Sequence, residues 1–102
     1  MLCHEMKNKE VLNSSFKEYP LFIGVLYGDK IECEKFSKRL SCAIKHLPIR
    51  VEFNYESNTL EAIKKGIRVD PTFVLDDKIL FEGLVQAEEI TKKFEDILEL
   101  LD

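Results

Sequence analysis

No apolar run in this chain reaches the ~18 residues that a membrane-spanning helix needs. The longest, Leu21 to Tyr27, is the size of a strand. Nor is there an excess of basic charge. Fifteen Lys and Arg against 19 Asp and Glu leave a net charge of -4, which argues against a broad nucleic-acid surface, because phosphate binding rests on clustered cations. Cysteine is scarce, at three residues among 102. The first fifteen residues hold no continuous apolar stretch to act as an export signal. A disulfide framework therefore has no support, and the reducing cytoplasm is the expected compartment.

Metal and phosphate signatures are thin as well. Cys3-His4 is one adjacent pair with no second pair at ligand spacing, so no zinc site and no cofactor are expected. Gly28-Asp29-Lys30 ahead of a helix has one glycine, far from a phosphate loop. His46, near the end of that helix, reads as a charge complement to the helix dipole and not as a base.

What is present is an ordinary globular balance, 45% hydrophobic and 33% charged, in a length that suits one domain with a modest core. Residues 1–19 are polar except for Val11, Leu12, Phe16 and Tyr19, whose spacing predicts a short N-terminal helix ended by Pro20. Leu21 to Tyr27 reads as a central strand covered on both faces. Cys33, Phe36, Leu40, Ala43, Ile44 and Leu47 then form the stripe of a long helix that Pro48 stops.

Val51 to Tyr55 alternates as a strand with one buried face. Asn58 with Glu61 three residues on predicts a capping box, Leu60 and Ile63 supply that helix with an apolar side, and Gly66 suits its C-terminal stop. Thr72 to Leu75 and Ile79 to Glu82, across Asp76-Asp77-Lys78, read as a hairpin. A last helix follows Gly83, with Ala87, Ile90, Phe94, Ile97, Leu98 and Leu101 as its buried stripe. This order makes an α/β sandwich with helices covering the sheet.

The run Gly66 to Gly83, GIRVDPTFVLDDKILFEG, carries a resemblance. Asp70-Pro71-Thr72, with Gly66-Ile67-Arg68 just ahead and Gly83 closing the hairpin, resembles the proline segment of thioredoxin-like proteins. The short hairpin resembles glutaredoxins and the small archaeal and bacterial thioredoxin-like proteins more than thioredoxins. The resemblance covers roughly residues 21–101. It implies a central mixed four-stranded β-sheet flanked by helices over residues 20–102, with residues 1–19 as an extra N-terminal segment. It also implies a cis Pro71, beside which an extended partner chain pairs with the backbone of Asp70. Composition alone would predict trans, since about 5 to 6% of X-Pro bonds in folded proteins are cis.

The family's chemistry uses CxxC at the start of the first long helix, and the helix start here reads Lys30-Ile31-Glu32-Cys33. Either Cys33 is the nucleophile and Phe36 stands in place of the resolving cysteine, or Cys33 is the resolving cysteine and Lys30 replaces the nucleophile. At 100° per residue Cys33 falls about 30° from the centre of the apolar stripe, which favours the second placement. Cys42 cannot replace the missing partner, because nine residues along a helix are about 13.5 Å of rise, against the ~7 Å between Cα atoms that a disulfide allows. It also lies on the outer face.

Two functions follow. One is thiol-disulfide exchange, degenerate or monothiol, with Cys33 as the catalytic thiol, Lys30 and the helix start lowering its pKa, and Asp70, Pro71 and Thr72 positioning the partner. Its partners would be a protein thiol or disulfide, with glutathione as a candidate resolving thiol. The other is a redox-inactive binding or adaptor module using the same groove for an extended peptide. In that case Cys33 is simply a small hydrophobe at the core end of its helix, and Lys30 a solvated turn residue.

Overall fold

The computed structural model describes the backbone of residues 9–101 and the side chains of residues 9–100. Its elements are β1 (Lys9–Leu12), β2 (Leu21–Tyr27), α1 (Lys30–Ile44), β3 (Arg50–Glu56), α2 (Thr59–Lys64), β4 (Thr72–Leu75), β5 (Lys78–Glu82) and α3 (Ala87–Leu101). The sheet order is β1-β3-β2-β4-β5. β2 and β3 run parallel, joined by α1, and the other neighbours are antiparallel. The mixed α/β sheet flanked by helices is as expected, but it has five strands and not four.

The fifth strand comes from the N-terminal segment, which corrects the expected helix. Lys9–Leu12 pairs with β3, Leu12 lying opposite Val51. Adjacent apolar residues fit a strand as well as a helix, and the open edge of β3 supplies backbone partners that a local turn does not. Glu10 accepts a hydrogen bond from Ser37 Oγ on α1 at 3.2 Å, tying the new strand to the helix. Asn13, at φ 59°, ends β1. Phe16 and Tyr19 then stack across successive turns with ring centroids 4.9 Å apart. Residues 1–8 of the expected helix, with Cys3 and His4, lie outside the described residues.

The Asn13 side chain also sets the end of α1. Its Nδ2 donates to the carbonyls of Ile44 (3.0 Å) and Ile49 (2.9 Å). The helix stops at Ile44, three residues short of the expected Leu47. His46 is exposed beyond that end.

One face of the sheet carries the main core. Leu26, Phe53 and Phe73 meet Phe36, Leu40 and Ile44 of α1 and Ile90 and Phe94 of α3, all 0% exposed. Phe36 stacks on Phe73 at 5.8 Å and tilts against Phe81 at 6.0 Å. Such aromatic packing adds to the apolar burial that stabilises this core. Arg39 Nη1 donates to the carbonyls of Leu84 and Val85, both at 3.0 Å, fixing the lead into α3 against α1. On that helix Ile90 and Phe94 are buried while Ile97 and Leu98 pack partly buried against the same core.

The opposite face holds a smaller cluster of Tyr27, Ile67 and Val74, with Val25 and Ala62 against it. The apolar side expected for α2 is not buried, since Leu60 and Ile63 are 68% and 62% exposed. A six-residue helix reaches the sheet only through Ala62 and the following Ile67. The capping box is also open. Asn58 Oδ1 accepts from the N–H groups of Leu60 and Glu61, but the Asn58 N–H donates to Glu56 Oε2 at 3.0 Å and not to Glu61. In the hairpin the turn is Asp76-Asp77 alone, both at positive φ, as a two-residue type I′ turn requires. Lys78 begins β5, and Leu80 is bulged between the pairs Val74–Ile79 and Phe73–Phe81.

Candidate functional site

Gly28 is the hinge on which the site is built. It follows β2 at φ 144°, and its N–H donates to the Glu56 carbonyl at 3.1 Å, binding the end of β2 to the end of β3. A methyl group on Gly28 would lie 3.2 Å from Pro71 Cα, 3.3 Å from Cys33 Sγ and 3.4 Å from Asp70 Oδ1. Only glycine fits between these three without displacing one of them. Cys33, Asp70 and Pro71, named from the sequence, are therefore neighbours.

Asp29 starts α1 as its N-cap, with Oδ1 accepting from Glu32 N at 2.9 Å. Lys30 is the first helical residue and is exposed. Cys33, one turn in, is 1% exposed, and its thiol lies 3.9 Å from the Leu26 carbonyl, a weak donation that suits the protonated form. Burial, followed by the carboxylates of Asp29, Asp70 and Glu32, pushes its pKa up from 9.0 to about 12. This reverses the direction expected from the helix start and Lys30. Desolvation and three negative groups outweigh one exposed ammonium.

Across the site, the Asp70–Pro71 peptide bond is cis. Pro71 and Thr72 are fully buried, whereas Asp70 is exposed. Thr72 Oγ1 donates to the Val69 carbonyl at 2.6 Å, and Gly83 N donates to the Pro71 carbonyl at 2.7 Å. Thr72 and Pro71 thus hold the loop from behind. Asp70 is the member of the segment left at the surface. Among the described residues its own N–H and C=O meet no other backbone group.

Beside Asp70 lies a cleft of about 440 Å³. Its walls are the Gly28-Asp29 turn, the β3–α2 connection from Glu56, and the segment from Ile67 to Asp70, with Ala62 and Ile63 of α2. Glu56 was not singled out from the sequence, and Ile63 and Ile67 were named there only for the apolar side of α2 and for the resemblance. The available signal was Glu56 two residues before an N-cap asparagine, a spacing that lets the carboxylate take the cap's own N–H.

Cys42 is exposed on the outer side of α1, away from this cleft, and both described cysteines are free. Among the described residues no group of three or more His, Cys, Asp or Glu is arranged to hold a metal ion, and no helix is long and apolar enough to cross a membrane.

The comparisons with known proteins agree with this geometry at the level of family. No curated protein and no solved structure matches the chain. A family model described as a thioredoxin domain matches residues 23–95, from β2 into α3 and including Gly28, Cys33 and Pro71. The match takes in most of the sequence, and the chain belongs to the thioredoxin-domain family.

Proposed function

We propose that this thioredoxin-family chain is a redox-inactive binding module that takes up an extended segment of a partner protein against the Asp70–Pro71 loop. The observation that carries this is the state of Cys33. It has no second cysteine at CxxC spacing, is 1% exposed, and holds its proton to about pH 12. The thiolate is the attacking species in disulfide exchange, and it is almost absent here at neutral pH. Asp70, exposed, flanked by the cleft and with no backbone hydrogen-bond partner among the described residues, supports strand-like pairing that needs no thiol. Apolar side chains at Ile31, Ile63 and Val69, 64%, 62% and 39% exposed, supply contact surface on the adjoining elements. Residence in the cytoplasm belongs to the same reading.

A monothiol role is the second reading, favoured by the sulfur lying against Gly28 next to Pro71. In it the Cys33 thiolate attacks a partner disulfide, one partner thiolate leaves, and the mixed disulfide is resolved by a second thiol such as glutathione. An insulin-reduction assay driven by dithiothreitol separates the two. The wild-type chain is expected to add nothing to the dithiothreitol rate, whereas Lys30→Cys, which completes CxxC, is expected to accelerate it. Acceleration by the wild type that Cys33→Ser abolishes and Cys42→Ser leaves intact would replace the binding reading with the monothiol one.

A further inference from the structure

We infer that the cleft beside Asp70 takes a lysine or arginine side chain from the partner's extended segment. The inference rests on the binding reading above and adds what that segment must carry. The cleft is lined by three carboxylates, Asp29, Glu56 and Asp70, against one cation, Arg68. Two of the three are already oriented. Asp29 Oδ1 accepts from Glu32 N at 2.9 Å and Glu56 Oε2 from Asn58 N at 3.0 Å, which engages one oxygen of each carboxylate. Their negative potential reaches the neighbouring thiol, where Asp29 and Asp70 both oppose ionisation of Cys33.

Ser57, Asn58 and Thr59 line one side, and the remaining wall is apolar. Ala62, Ile63, Ile67 and Val69 provide the surface along which the methylene stem of a long basic side chain lies while its charged head meets oxygen acceptors. An acidic or uncharged side chain would gain the apolar contact but leave the carboxylates uncompensated. The volume, about 440 Å³, is at the lower end of small-ligand pockets and ample for one side chain. Glutathione, whose two carboxylates outnumber its amine, is disfavoured by the same field. The selection is by charge, so it weakens as salt screens it.

The experiment is a titration of the full-length, ¹⁵N-labelled chain with three capped nonapeptides of alternating serine and valine that differ only at the centre, where each carries arginine, glutamine or glutamate. The arginine peptide is expected to shift the amides of Gly28, Asp29 and Asp70 and to bind at least tenfold more tightly than the glutamate peptide. In the Glu56→Gln, Asp70→Asn double variant the three affinities should fall within about twofold of one another. If all three peptides shift these amides with equal affinity in the wild type, the charge inference is wrong and the groove reading stands. If none shifts them at millimolar concentration, the groove reading fails and the inference falls with it.

Discussion

Alkylation of Cys33 in the native protein tests the buried, protonated thiol most directly. Raising the pKa from 9.0 to about 12 lowers the ionised share at neutral pH by ~1000-fold. The more basic thiolate is intrinsically a better nucleophile, and with a Brønsted slope of ~0.4–0.5 that returns a factor of ~16–32. The chemistry alone therefore slows Cys33 by roughly 30- to 60-fold relative to an ordinary exposed thiol. Burial to 1% exposure adds to this, since the reagent must wait for the helix start to open. Iodoacetamide labelling at neutral pH, quenched over time and read by peptide mass spectrometry, gives both rates in one sample, with exposed Cys42 as the internal reference. Cys33 is expected to label more than 30-fold more slowly and to catch up in urea. Labelling of native Cys33 within tenfold of Cys42 would refute the argument.

The same thiol makes stability depend on alkaline pH. Its folded pKa lies above the unfolded value of 9.0, so the two states bind protons equally below pH 9, and above it only the unfolded state ionises and folding weakens. Against Cys33→Ala, wild-type stability in urea melts is expected to fall by roughly 2 kcal/mol between about pH 9 and about pH 10.5, and a gap that stays constant would disprove the linkage. Gly24→Ala places a methyl 2.6 Å from the Val74 carbonyl oxygen and 2.9 Å from Phe73 Cζ, so thermal unfolding should show a loss of about 1–3 kcal/mol or more. Gly28→Ala, crowding Pro71 and Cys33 at once, should shift the Asp70 amide in ¹⁵N spectra and lower the melting temperature; an unchanged spectrum would contradict the close approach.

The long elements were legible because their periodicity has one interpretation. Phe36, Leu40 and Ile44 on α1, and Ile90 and Phe94 on α3, recur too regularly to be anything but buried helix stripes, and both stripes are buried. β1 was not legible, since Val11 and Leu12 are too few to set a period and their partner, β3, is some forty residues away. In α2 the pattern of Leu60 and Ile63 was visible, but a pattern cannot say whether anything lies opposite to cover it. Of the site, the positions of Cys33, Asp70 and Pro71 could be read from local motifs. The acidity of Cys33 could not be read from Lys30 and the helix start alone, because it is decided by burial and by carboxylates on two separate segments. Two of those, Asp29 and Glu32, lie within four residues of the thiol, so part of the answer was in plain view.

The amide of Asn13 spans the end of α1 and the start of β3, donating to Ile44 and Ile49. The stop signal for that helix is thus written in a different part of the chain, more than thirty residues upstream, and takes effect only once β1 has docked. A shortened chain beginning at Pro20 would keep every residue of α1 yet lose the amide that donates to its last carbonyl, that of Ile44. The edge strand and the helix terminus are for this reason one cooperative unit, and its amides should open together in hydrogen exchange.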